Sequence, residues 1–272
     1  MKILIAADME GISGVTHWDQ VTPGHVEYER FRRIMTADVN AAIRGVFEAG
    51  ADEVSVTDGH WNDRNILIEE LDPRARLNSG GPLSMVQGVD FDVSGAMFVG
   101  YHARMGAPNA VLDHTWSDER VANVWLNGQV IGEIGLNAAV CGHFDVPVIL
   151  ISGDQTACAE AVETLGAVEV AVVKQATGRM TAECLPLAAA HQKIQDAAAR
   201  AVKRLRLGQA PQPFRAEAPI TLAIEFMQSE MADRALLLPG ARRPEGKRIE
   251  ITAEDMPAAY QAFRAAVVLA KG

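Results

Sequence analysis

Short apolar runs alternate along the chain with longer stretches in which apolar residues recur every three or four positions. The short runs are typical of buried strands, and the longer stretches are typical of amphipathic helices. Such alternation predicts an α/β fold in three layers, with a mainly parallel sheet and helices on both faces. The strands are predicted at 2–7, 53–57, 96–100, 146–151 and 168–173, and the helices at 27–49, 155–165 and 181–206, with one more beginning at 132–133.

Weaker local signals predict shorter elements between these. Asn127-Gly128, flanked by apolar residues, is the strongest of them and predicts a β-hairpin with arms at 121–126 and 129–131. Further short elements are predicted as helices at 66–71 and 83–87 and as a strand at 75–77.

The last third of the chain has its own pattern of elements. A proline-containing linker at 209–213 precedes two more strands and two more helices, predicted at 220–226, 229–236, 248–252 and 255–270. We therefore predict an α/β domain at 1–180 and a smaller α+β domain at 181–272.

Composition excludes several classes of partner. The 272 residues carry a formal net charge of -10, which argues against nucleic acid or an anionic membrane as a partner. No stretch reaches eighteen consecutive apolar residues, and the amino terminus has no signal-type segment. The three cysteines form neither an even disulfide framework nor a Cys-x-x-Cys pair, which is typical of a reducing compartment. We predict a cytoplasmic protein.

Ionisable residues follow three predicted strands at the point where each strand ends. Asp8 and Glu10 come after the first strand, His60 after the second, and His102 after the strand at 96–100. Because the carboxyl ends of parallel strands lie at one edge of a sheet, these side chains are expected to gather there. Asp8 and Glu10 repel each other at close range, so a cation is expected between them.

Glu133, at the start of a predicted helix, completes a set of two histidines and three carboxylates. This mixture suits zinc, and manganese or cobalt less specifically. Five ligands exceed the three protein ligands of a single catalytic zinc, so two ions bridged by Asp8 and about 3.5 to 4 Å apart are predicted. The chemistry implied is metal-assisted hydrolysis in the first domain. The alternative is that the histidines bond only to backbone carbonyls, Asp8 caps a turn, and Glu133 offsets a helix dipole.

His114 lies in a loop beyond the ligand set, next to Asp113. It is the candidate for proton transfer to a leaving amine or for stabilising a charged tetrahedral intermediate. The alternative is a loop histidine paired with Asp113. The remaining histidines and the cysteines are interpreted as structural: His17, His25, His143, His191, Cys141, Cys158 and Cys184.

Several motifs together resemble the DppA-type D-aminopeptidases, a family of dinuclear zinc peptidases. The motifs are Asp8-Met-Glu-Gly-Ile-Ser-Gly14, Asp58-Gly-His60, Gly100-Tyr-His-Ala-Arg104, the His114 loop, Gly132-Glu-Ile-Gly-Leu-Asn137, Asp145-Val-Pro-Val148 and Ile224-Glu-Phe226. The resemblance implies that Asp8 bridges two zinc ions and that Glu10, His60, His102 and Glu133 complete their ligands. It assigns the nucleophile or acid-base role to His114. It also implies a homodecamer of two stacked pentameric rings.

The predicted function is a zinc-dependent aminopeptidase that removes the amino-terminal residue from short peptides or amino-acid amides, with D or L configuration left open. One alternative is a phosphohydrolase of the haloacid-dehalogenase type, because Asp8-x-Glu10 after a first strand resembles its nucleophile loop; this leaves His60 and His102 without a role. Another is a metal-binding scaffold for peptide uptake without catalysis.

Overall fold

A computed structural model describes residues 1–80 and 84–271. Its larger sheet has seven strands in the order β3-β2-β1-β4-β7-β8-β9, all parallel except the last. The strands are β1 (Lys2–Ala7), β2 (Glu53–Asp58), β3 (Ala75–Asn78), β4 (Gly95–Val99), β7 (Val148–Asp154), β8 (Glu169–Gly178) and β9 (Thr181–Cys184). The mainly parallel sheet is therefore confirmed.

Helices cover both faces of this sheet, as predicted. Successive β1 residues alternate between the two cores: Ile3 and Ile5 face α1 (Tyr28–Glu48) and α4 (Leu187–Arg206), whereas Leu4 faces α2 (Glu133–His143) and α3 (Gln155–Leu165). A strand buried on both sides needs an unbroken apolar run, which explains the sequence of β1.

A smaller antiparallel sheet packs beyond the face that carries α2 and α3. Its strand order is β11-β12-β10-β5-β6, and it shares a core with the large sheet. The predicted hairpin supplies two of its strands. The elements are β5 (Val121–Leu126), β6 (Gln129–Val130), β10 (Ile220–Phe226), β11 (Arg242–Glu245) and β12 (Arg248–Ala253), accompanied by α5 (Ser229–Ala235) and α6 (Met256–Leu269).

The order of the large sheet reverses between β1 and β4. The chain builds outward from β1 through β2 to β3, then returns to place β4 on the other side of β1 and continues through β7 and β8. Loops leaving neighbouring strands separate at such a reversal and open a crevice at the carboxyl ends, where ligands bind in open α/β sheets. Asp8 follows β1 and His102 follows β4, so both lie at this crevice.

Three local predictions differ from the structure, and one strand was missed. Residues 66–71 form turns where a helix was expected, and residues 84–87 also form turns; the first residue of that predicted helix, Leu83, lies outside the described residues. Thr181–Cys184 is a strand, β9, and not the start of a helix. The strand β11 was not predicted.

Residues on either side of the predicted domain boundary near residue 180 share structure. β9 pairs with β8 in the large sheet, and α4 packs against α1. The division at 180 stays a prediction. Among the residues that the structure describes, no helix combines the length and the apolar character needed to cross a bilayer.

Candidate metal centre and active site

Two glycines bring the ends of β1 and β4 into contact. The amide of Gly11 donates to the carbonyl of Gly100 at 2.8 Å, and a Cβ on Gly11 would lie 1.9 Å from the carbonyl oxygen of Tyr101. Gly100 has φ +77°, and its Cβ would lie 2.3 Å from the carbonyl oxygen of Asp8. Side chains at either position are therefore excluded. The amides of Gly100 and Tyr101 both donate to the carbonyl of Ser152 in β7, at 3.1 and 3.0 Å. These bonds hold the carboxyl end of β4 from the side opposite β1.

Asp8 lies between two groups of candidate ligands. Its Oδ1 is 3.2 Å from Nδ1 of His60, and its Oδ2 is 3.3 Å from Nε2 of His102. Glu10 lies on the His60 side, with Oε2 3.1 Å from the same Nδ1, and Glu133 lies on the His102 side, with Oε1 3.4 Å from Nε2. Each carboxylate oxygen of Asp8 therefore faces a different group, as a bridging ligand requires.

Three histidines each have one ring nitrogen bonded to a backbone carbonyl. The pairs are Nε2 of His60 with the Val21 carbonyl at 2.8 Å, Nδ1 of His102 with the Ala103 carbonyl at 3.0 Å, and Nδ1 of His114 with the Leu112 carbonyl at 2.8 Å. A carbonyl oxygen only accepts, so the nitrogen bonded to it carries the proton. In the neutral ring the lone pair is then on the other nitrogen, which faces the carboxylates. This tautomer control is characteristic of metal-binding histidines.

The loop that carries His114 packs directly onto the site. The His114 ring stacks on His102 with centroids 4.0 Å apart and planes inclined by 10°. Its Nε2 is 3.8 Å from Oε1 of Glu133 and 4.0 Å from Oε1 of Glu10. The same Glu133 oxygen accepts from the backbone amide of Trp116 at 2.6 Å. The loop is thus held by one of the candidate ligands.

Asp113 is committed to other partners, so the alternative in which it pairs with His114 is wrong. Its Oδ1 is 3.2 Å from Nε of Arg179, and its Oδ2 accepts from the amide of Gly106 at 2.7 Å. Arg179 also lies over the ring of Trp18, whose centroid is 5.5 Å from that of His114. Trp18 and Arg179 therefore form a wall beside His114.

The donor set fits two divalent cations. Six residues form two compact groups, Asp8 with Glu10 and His60, and His102 with His114 and Glu133, in each of which the ligand atoms lie within 4.8 Å of one another. All six are buried, none more than 8% exposed. Asp8 Oδ2 and Glu10 Oε2 have no hydrogen-bond partner, although such burial normally demands one. Cations between the groups would satisfy these oxygens and the facing nitrogens together.

The pKa values of the carboxyl groups show how strongly the site favours positive charge. Burial and the neighbouring charge of Glu10 raise the pKa of Asp8 to about 7. Burial would also raise the pKa of Glu10, but the charge of His60, 3.1 Å away, outweighs it and holds that pKa well below its usual range. His102 likewise outweighs burial and lowers the pKa of Glu133.

The pKa values of the three histidines shift in opposite directions. Burial opposes protonation of all three, but the charge of Glu10 raises the pKa of His60 well above its usual value, and a hydrogen bond to Glu133 does the same for His102. The pKa of His114 is lowered by burial and by His102. The lowered pKa favours the neutral form of His114, whose Nε2 is then able to accept a proton.

Comparisons with known proteins show the family of the chain. A family model described as D-aminopeptidase matches residues 1–265. The chain belongs to the D-aminopeptidase family. It is 39% identical over 266 residues to a D-aminopeptidase of Bacillus subtilis (strain 168), covering 97% of this chain and 95% of that protein.

A solved structure extends the similarity of this D-aminopeptidase family member to the whole fold. The Zn-dependent D-aminopeptidase DppA from Bacillus subtilis, described as a self-compartmentalizing protease, matches with a TM-score of 0.95 and 38% identity, covering 99% of this chain and 98% of that one. The chain is therefore a peptidase. The phosphohydrolase alternative conflicts with this membership, and it leaves the facing nitrogens of His60 and His102 without a role.

All six predicted site residues of this D-aminopeptidase family member come together, but two buried residues behind them were not predicted. Lys174 in β8 is 1% exposed, and its ammonium contacts the loop after Asp8. Burial lowers its pKa to about 8. Asp38 in α1 is fully buried and accepts from the amide and hydroxyl of Ser13 at 2.8 and 3.0 Å. Lys174 follows the apolar run 170–173 and precedes the polar Gln175, so no pattern in the sequence predicted its burial.

Proposed function

We propose that this protein is a zinc-dependent aminopeptidase that releases the amino-terminal residue, preferentially of D configuration, from short peptides and amino-acid amides. The observation that carries the proposal is the geometry of the site. Three imidazoles each direct the ring nitrogen that has no backbone partner toward the carboxylates of Asp8, Glu10 and Glu133. The D preference rests on membership in the D-aminopeptidase family. Short substrates are favoured because every candidate site residue is buried.

In this proposal two zinc ions bind per chain, with manganese or cobalt as substitutes. Glu10 and His60 would hold one ion, His102 and Glu133 would hold the other, and Asp8 would contribute to both. Bound zinc supplies Lewis acidity toward the scissile carbonyl and a water molecule with a pKa of about 7. Asp8 offers one oxygen to each group, as its contacts at 3.2 and 3.3 Å to the two histidines indicate.

His114 is proposed to move the proton. Its Nδ1–H donates to the Leu112 carbonyl at 2.8 Å, which keeps Nε2 unprotonated and directed at the ligand carboxylates. Nε2 accepts a proton from the water molecule that attacks the scissile carbonyl, and it donates this proton to the departing amine. The lowered pKa of His114 supports this role because the group begins the cycle as a base.

A panel of substrates tests the assignment. Matched D- and L-alanyl amides and dipeptides, each with a free or an acetylated amino terminus, are assayed before chelation, after chelation and after zinc is restored. We expect hydrolysis of the free D-substrates only, lost on chelation and recovered with zinc. Equal cleavage of acetylated and free peptides would refute the aminopeptidase assignment, and turnover of phosphate esters alone would favour the phosphohydrolase. Two bound zinc ions with no amide hydrolysis would favour the scaffold.

We also propose that the protein assembles into a homodecamer of two pentameric rings and resides in the cytoplasm. Self-compartmentalization of the Bacillus subtilis relative supports the assembly. The free cysteines, of which Cys141 and Cys158 are buried, support a reducing compartment. Light scattering is expected to give a mass ten times the 29.2 kDa of one chain, and cell fractionation is expected to recover the protein with cytoplasmic markers. A monomeric mass or a membrane-associated pool would contradict these two statements.

A further inference from the structure

Lys174 lies in β8, next to the edge strand β9 of the large sheet, and its side chain reaches the loop that carries Glu10. It is 1% exposed, and its ammonium group donates to three backbone carbonyls. The acceptors are the carbonyls of Glu10 at 2.6 Å, Ile12 at 3.0 Å and Val15 at 2.9 Å. An ammonium group has three donors, so these contacts use all of them.

The three carbonyls belong to one short segment. It runs from Glu10 to Val15, turns at Gly14 with φ +80°, and forms neither strand nor helix. Backbone groups in such a segment have no regular partners, and burial makes unpaired ones costly. Lys174 therefore replaces the hydrogen bonds that secondary structure would have provided.

A second buried charge holds the same segment from another element. Asp38 in α1 accepts from both the amide and the hydroxyl of Ser13, while Lys174 in β8 binds the carbonyls on either side of it. The Asp38 carboxylate thus accepts hydrogen bonds from the segment, and the Lys174 ammonium donates hydrogen bonds to its carbonyls. Met9, just before this segment, and Ile12, within it, are fully buried.

We infer that Lys174 is a positioning residue that fixes the Glu10 backbone, and hence the carboxylate pair Asp8 and Glu10, in the geometry that a divalent cation requires. The inference rests on the proposed metal-binding role of these carboxylates. Lys174 acts through the segment, because backbone carbonyls of the segment take all three of its donors. Residues that orient metal ligands typically change metal affinity by about 10- to 100-fold when they are replaced.

The test is zinc affinity, measured by competition with a chromophoric chelator on the full chain. Lys174→Met keeps the aliphatic length and removes the donors. We expect the affinity of this variant for the more weakly bound of the two zinc ions to be at least about tenfold lower than that of the unsubstituted protein. We also expect the visible absorption of the cobalt-loaded protein to shift, because ligand geometry changes. If Lys174→Met does not fold, Lys174→Gln is used in its place, because glutamine has a shorter side chain that still ends in a donor. The same loss of zinc affinity is expected.

Val202→Ala is the matched control for general destabilisation. Val202 is fully buried in α4, one turn before Leu205, which packs against Gly95 at the start of β4 and thus at the opposite end of the sheet. This variant is expected to lose thermal stability and to retain zinc affinity and the cobalt spectrum. Unchanged affinity and spectrum in both Lys174 variants, or an equal loss in Val202→Ala, would overturn the inference. A wild-type protein that binds no zinc would instead refute the proposed function.

Discussion

The rings of His102 and His114 lie face to face, with centroids 4.0 Å apart and planes inclined by only 10°. Both direct Nε2 toward the same oxygen of Glu133, at 3.4 and 3.8 Å. Their pKa values nevertheless move apart: Glu133 raises the pKa of His102, whereas burial and the charge of His102 lower the pKa of His114. Two adjacent imidazoles are thereby suited to different tasks, one to hold a cation and one to carry a proton.

Replacing His114 tests this division. His114→Ala is expected to lower kcat by about 10²- to 10⁴-fold, the usual contribution of a general acid-base group. Zinc content, measured by elemental analysis, is expected to stay at two ions per chain. Loss of one zinc from this variant would show that His114 is a metal ligand, which its place in the second group of donors also permits by distance.

Replacing His60 is expected to remove one metal and leave the other. His60→Ala deletes the only nitrogen donor in the group formed with Asp8 and Glu10, whereas the group around His102 keeps its donors. The zinc content measured by elemental analysis should therefore fall from two ions per chain to one. His143→Ala, at the exposed end of α2, is the control and should retain both ions. Complete loss of metal from His60→Ala would contradict two separable ions.

Zinc binding is expected to release protons. The raised pKa values of His60 and His102 mean that both rings remain protonated above the ordinary histidine pKa of about 6.5 in protein stripped of metal. A metal binds only the neutral nitrogen, so protons compete with zinc, and affinity should rise as pH increases from about 6 to about 8. Titration calorimetry in buffers of different ionisation enthalpy measures the release. Affinity that is independent of pH over this range would contradict the protonated state.

Gly100→Ala is expected to damage both stability and metal binding. A left-handed backbone costs a non-glycine residue about 1 to 2 kcal/mol, and forcing the new Cβ against the Asp8 carbonyl adds about 1 to 3 kcal/mol. Gly106→Ala is the matched control, because its φ is +82° with nothing within 4 Å of the added atom. Chemical denaturation should show the smaller loss for Gly106→Ala, and only Gly100→Ala should lose zinc. Equal effects would argue against the close approach.

Much of the fold follows from the periodicity of apolar residues. β1 and α3 were predicted with the bounds they have, because a doubly buried strand and an amphipathic helix each leave a strong local pattern. Residues 181–184 were assigned to a helix because their alanine-containing sequence continues into α4. Their pairing with β8 is a tertiary contact that overrides local propensity.

The candidate site was predictable in its donors but not in its supports. Asp8, His60 and His102 follow apolar strands directly, so their position at one edge is readable from sequence. The carbonyls that set the histidine tautomers belong to Val21, Ala103 and Leu112, and a backbone group leaves no mark on the sequence. Lys174 is 164 residues from Glu10, and nothing local connects them.

The place of β7 beside β4 has a consequence for biosynthesis. All six candidate site residues have been added to the chain once Glu133 has been translated, yet Ser152, which secures the amides of Gly100 and Tyr101, belongs to a strand translated afterwards. A nascent chain at that stage has an unpaired β4 edge where the finished sheet has a neighbour. The carboxyl end of β4 is therefore secured only after β7 has been translated.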